Sequence, residues 1–180
     1  MPELRLLSVK QPWASLLVHG TKQLEVRSWQ TSYRGPVAIR ASGRITKGLV
    51  GDMAHDDALY EATVDMWDRS PDPLTYEEIV SAIREAFPVG GVIGLATLTD
   101  CRPLTEWAKR KWKTDERHLS FGGRKRPGPG YGLLFEMPVV VPGRPIAAPG
   151  MLNLVRWSSR NKFIEQYCRK ALRLLQKGAR

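Results

Sequence analysis

Apolar positions along the chain fall into short runs that change period. Leu4 to Val9 is a brief strand-like stretch. After it, Trp13, Leu16 and Leu17 follow the i, i+3, i+4 spacing of one buried helical face. Pro12 suits the first turn of that helix, where a missing N–H costs nothing, and Gly20 suits a C-terminal cap with positive φ. The spacing therefore predicts a two-turn helix ending at Gly20. Leu24 to Trp29 then alternates, with Leu24, Val26 and Ser28 on one face and Glu25, Arg27 and Trp29 on the other. The apolar pair is expected to face the core, and Glu25 and Arg27 to project together toward solvent or a cleft. Gly35 to Ala41 alternates again through Val37, Ile39 and Ala41.

The middle of the chain reads differently. Residues 52–67 and 75–87 have helical patterns separated by the breaker Ser70-Pro71-Asp72-Pro73, and Thr75 with Glu78 resembles a capping box. Strand patterns return over 92–99, 131–141 and 151–157, with a helix expected over 103–113. Residues 158–175 form an amphipathic helix whose apolar stripe is Phe163, Ile164, Tyr167, Ala171 and Leu174. Short strands, short helices and Gly/Pro-rich connections predict a small α+β barrel rather than a doubly wound parallel sheet. Residues 1–157 form the expected domain, interrupted by a helical insertion over 46–88 that is too short for its own core. Residues 158–180 are a basic helix packed on the same domain.

Charge sharpens this picture. The 180 residues carry a net charge of +10. Residues 46–88 hold ten acids against three bases, so that segment is −7 and the remainder is +17. A body this basic attracts polyanions, because neutralising phosphates releases counterions. Cys101 and Cys168 make neither a disulfide framework nor a zinc motif, and His19, His55 and His118 lack ligand spacing, so no metal or cofactor is expected. No apolar run reaches the roughly 20 residues of a membrane span, and the N-terminal residues lack a long apolar signal stretch. A cytoplasmic chain that does not associate with membranes is the expectation.

The first forty residues carry a resemblance. Gly20, Lys22, Glu25 and Arg27 complete the pattern G-x-K-x-x-E-x-R, flanked by 11–18 (QPWASLLV), Arg27-Ser28-Trp29 and Arg34-Gly35. Val92-Ile93-Gly94-Leu95 and Leu98-Thr99-Asp100-Cys101 resemble a second block of the same family. These segments resemble the ASCH domain, named for activating signal cointegrator-1 homology, within the PUA-like superfamily. The resemblance implies a PUA-like mixed β-barrel flanked by short helices, with a cleft beside the first helix and the motif strand. It further implies that the cleft binds nucleic acid, with single-stranded or structured RNA the first expectation and DNA a further one.

Residue chemistry suits that cleft. Arg27 can grip a phosphate or base edge with two parallel hydrogen bonds, and Lys22 acts as a mobile point charge. Glu25 can orient the Arg27 guanidinium or accept from an exocyclic amine or ribose hydroxyl. Lys10, Arg40 and Arg44 extend the positive rim, and Trp13 or Trp29 can stack on an unpaired base. Ser15 is expected at the helix surface, within reach of a phosphate. Arg124, Lys125 and Arg126 form a basic loop that either clamps a backbone or is simply solvated. The plain alternative for Glu25 and Arg27 is a surface ion pair without function. Trp13 lies on the apolar stripe and reads as core before it reads as a stacking platform.

Two functional classes follow. One is a binding module without chemistry. The other is a metal-independent hydrolase, either a ribonuclease or an amidohydrolase on a modified nucleoside, in which Glu25 activates water and Lys22 stabilises the oxyanion. Small bacterial ASCH proteins that act on acetylated cytidine resemble this chain at Lys22, but Glu25 stands where they have a threonine, so the hydroxyl nucleophile is missing. A protein-interaction module ranks third.

Overall fold

The structure is a computed structural model in which residues 3–43, 87–110 and 129–178 are described. The expected insertion helices, Arg44 and the loop bearing Arg124, Lys125 and Arg126 lie outside the described residues. The described chain runs β1 (Leu4–Lys10), α1 (Trp13–His19), β2 (Leu24–Arg27), β3 (Gly35–Ser42), β4 (Gly91–Pro103), α2 (Leu104–Trp107), β5 (Tyr131–Val140), β6 (Ile146–Ala147), β7 (Val155–Trp157) and α3 (Lys162–Gly178).

The strands form one mixed sheet in the order β2-β5-β4-β3-β1-β7, with β6 branching from β4. β1 and β3 run parallel and the other pairs are antiparallel. Among the described residues the order ends at β2 and β7 without pairing them, so the sheet is a half-barrel of the α+β class.

Alternation builds a core on each face. Leu7, Val9, Val37, Ile39 and Ala41 pack with Ala14, Leu17 and Val18 of α1. Leu4, Leu6 and Ala38 point the other way and pack under Ile164, Tyr167, Cys168 and Ala171 of α3. Tyr167 fastens α3 to the sheet: its hydroxyl lies 2.8 Å from Thr97 Oγ1 and donates to the Met137 carbonyl at 2.9 Å.

The α3-facing side of β1 and β3 has a second use. Leu6 pairs with Ala38, Ser8 with Arg40 and Lys10 with Ser42. One pleat beyond the apolar pair, the same face turns polar. There the helix cover ends and a cavity begins.

Several elements differ from the sequence expectation. The motif strand stops at Arg27, so Trp29 leaves the alternation and packs against the α1-side core. The helix expected over 103–113 is a single turn in the described part, continuing as turns to Arg110. Residues 151–157 do not form one strand: only Val155–Trp157 pairs, antiparallel to β1, and Met151 and Leu152 sit in the preceding loop.

Candidate nucleic-acid interface

Gly20 adopts φ 86°, and the chain doubles back so that the Lys22 N–H donates to the Leu16 carbonyl at 3.0 Å. This return places Lys22 beneath the helix instead of on a solvent face. Its side chain is 2% exposed, and its ammonium donates to the Leu24 carbonyl. The ammonium also lies 3.4 Å from Glu25 Oε2 and 5.8 Å from the centre of the Trp13 ring. Glu25 Oε1 lies 3.0 Å from Arg27 Nη2, which donates to the Ser8 carbonyl at 2.7 Å. Lys22, Glu25 and Arg27 thus form a chain of ion pairs, joined by Arg27 to β1.

Of the two expected settings for Glu25 and Arg27, solvent or a cleft, the structure has the cleft, and Lys22 lies deeper than a polar strand face would place it. Lys22 and Glu25 are buried: the return after Gly20 brings the Lys22 N–H to the Leu16 carbonyl, and the Glu25 carboxylate is held between Lys22 and Arg27. Burial pushes the Lys22 ammonium below its ordinary pKa, and the charge of Glu25 opposes that shift.

The buried triad nevertheless adjoins an open cavity of about 670 Å³. Its lining includes Lys10, Lys22, Arg27 and Arg40 with Glu25, four cations against one acid among the described residues. Trp13, Ser8 and Ser42 complete the walls from α1, β1 and β3, and Gly150, Met151 and Leu152 close it from the loop before β7. The volume falls within the range of small-ligand sites, about 300–1,000 Å³. Arg40 is also tied to that loop, donating from Nε to the Ala148 carbonyl at 3.0 Å.

The structure therefore gathers Lys10, Trp13, Lys22, Glu25, Arg27 and Arg40 around one hollow. It places Ser15 elsewhere. Ser15 is 2% exposed, its N–H donates to Gln11 Oε1 at 3.1 Å, and it does not line the cavity. Trp29 does not line the cavity either. Sequence reading missed Ser8, Ser42 and the loop 150–152. Only Ser8 left a signal, as a polar position within an apolar strand. Among the described residues no group of His, Cys, Asp or Glu could hold a metal ion, and no helix is long and apolar enough to cross a membrane.

The two motif blocks also meet in space. Gly35 pairs with Leu98 across β3 and β4, and Arg34 Nη2 lies 3.4 Å from Asp100 Oδ1.

The ASCH domain model matches residues 7–121. Over 38 residues the chain is 58% identical to activating signal cointegrator 1 of Mus musculus and of Homo sapiens. Those residues are 21% of this chain and 6% of each cointegrator, so the likeness spans a small part of those proteins. The crystal structure of ASCH from Zymomonas mobilis is 15% identical, with a TM-score of 0.46, and the alignment covers 91% of this chain and 92% of that one. A single-substitution variant of that protein is 14% identical, with a TM-score of 0.47, and covers 93% and 97%. With the family model matching more than half of its length, the chain belongs to the ASCH domain family.

Proposed function

We propose that the cavity beside Lys22, Glu25 and Arg27 binds nucleic acid, RNA first. One observation carries this reading: a hollow of nucleotide-accommodating size is lined, among the described residues, by four cations and one acid. Glu25 holds the Arg27 guanidinium in place from one side, and the Ser8 carbonyl holds it from another. A guanidinium fixed in this way loses little freedom when it meets a phosphate or a base edge. Lys10, exposed at the end of β1, supplies a mobile charge at the mouth.

The test is the salt dependence of binding. With about three phosphate contacts on a single strand, since Lys22 is buried against Glu25, affinity falls about 20-fold between about 50 and 200 mM salt. Arg27→Gln lowers affinity about tenfold and makes that dependence shallower. An affinity indifferent to salt, or unchanged in Arg27→Gln, overturns the reading.

A second reading has its own support. Lys22 is a buried amine held below its ordinary pKa beside a carboxylate 3.4 Å away, the kind of pair that performs acid–base chemistry. In this reading Glu25 activates a water and Lys22 stabilises the developing oxyanion. Turnover of acetylated cytidine or RNA by the parent protein, abolished by Glu25→Gln, supports a hydrolase. Absence of turnover in the parent leaves a pure binder.

A further inference from the structure

Among the described residues Leu152 is 91% exposed and Met151 is 41% exposed. Single apolar residues at a surface call for no explanation, but these two are adjacent and both line the mouth of a cationic cavity. The loop that carries them is not held by burying them. It is held by polar anchors: the Ala148 carbonyl accepts from Arg40 Nε at 3.0 Å, and the Met151 N–H donates to Ser8 Oγ at 3.3 Å. Gly150 lies against the Arg40 guanidinium, where an added Cβ would stand 3.6 Å from its central carbon. The backbone of the loop is thus tied to β1 and β3 while its two apolar tips stay in water.

We propose that Met151 and Leu152 form an apolar lip that takes the face of an unpaired base, making single-stranded nucleic acid the substrate class of this site. The inference rests on the nucleic-acid reading of the cavity and goes beyond it. The site has cationic walls and an apolar rim. A nucleotide has the same division, an anionic phosphate and a base with an apolar π-face. In a duplex both faces of each base are covered by its neighbours, so the lip can reach a base only when it is unstacked. A methionine thioether and a leucine side chain both pack well on such a face.

The test uses Met151→Ser/Leu152→Ser, two exposed positions whose replacement leaves thermal unfolding as in the parent. The probes are a short fluorescently labelled single-stranded RNA, an abasic ribose-phosphate oligomer of equal length, and the corresponding blunt duplex. The parent is expected to prefer the base-bearing single strand over both other probes. The double variant is expected to lose about tenfold in affinity for it while binding the abasic oligomer as the parent does. Parent-like binding of the single strand by the double variant, with Arg27→Gln still weakened, overturns the lip and leaves the cavity reading standing. Equal loss for base-bearing and abasic oligomers also overturns it, as does a parent that binds duplex as tightly as single strand. If the parent binds none of the three probes, the cavity reading falls and the lip falls with it.

Discussion

Lys22 and Glu25 face each other at 3.4 Å with side chains 2% and 11% exposed, three residues apart across the return from α1 into β2. Such a pair costs desolvation on both sides, and its net stabilisation is small even when its geometry is good. Removing one partner is another matter, since it leaves the other charge buried. Arg27 softens the loss for Glu25, because it lies 3.0 Å from the second carboxylate oxygen.

Lys22→Met is therefore expected to destabilise the fold by about 2–3 kcal/mol, less than the full cost of an orphaned buried charge. Glu25→Gln is expected to cost a similar amount. The double variant should cost clearly less than the sum, with a coupling of about 1–2 kcal/mol in a urea-denaturation cycle. Additive single effects would mean that the two groups do not interact in solution.

Gly94→Ala tests the support of α1. An added Cβ at Gly94 would press on Val18 and stand 2.7 Å from the Val139 carbonyl oxygen. Neither the packed helix nor the neighbouring strand can withdraw cheaply. The expected cost is about 1–3 kcal/mol by chemical denaturation. The helix that carries Trp13 would shift with it, so nucleic-acid affinity should fall in the same variant. A neutral substitution would show that α1 does not sit this close to β4.

Alkaline pH tests the anchoring of α3. Burial raises the Tyr167 phenol well above its ordinary value, while the Thr97 hydrogen bond lowers it slightly. The folded protein keeps this proton at pH values where the unfolded chain has lost it. Its contribution is complete below about pH 10 and is lost as pH rises toward the folded value. Near pH 11 the loss is about 1 kcal/mol. Tyr33 is raised by burial and acts in the same direction. Lys22 has the opposite sign: its lowered pKa makes its contribution grow with pH between that value and its ordinary one. Comparing the parent with Tyr167→Phe at about pH 9 and about pH 11 isolates the phenol. The variant, weaker at the lower pH, should lose less on the way up.

Much of this fold was legible because it rests on local periodicity. The first helix, its end at Gly20 and the inward faces of β3 follow directly from spacing. The stripe of α3 behaves likewise at Ile164, Tyr167 and Ala171, which are buried as expected. The candidate site was legible in composition and less so in geometry. Strand alternation put Glu25 and Arg27 on one face, toward solvent or a cleft, and it cannot report that Lys22 and Arg27 close over the carboxylate and leave it buried beside the cavity. Nor does any local pattern show Met151 and Leu152 at the cavity mouth, because that loop is placed by contacts to Arg40 and Ser8 more than a hundred residues away. Trp29 leaves the alternation for a simpler reason, since the strand ends two residues before it.

The central claim is that nucleic acid enters the hollow beside the ion-paired triad, and the indole N–H of Trp13 reports on it most directly. In an NMR titration with short single-stranded RNA, that resonance, assigned by its absence from Trp13→Phe, is predicted to shift in a saturable way. The indole signals of Trp107 and Trp157, which do not line the cavity, should stay in place. Saturable binding that moves Trp157 and leaves Trp13 unperturbed would contradict the account.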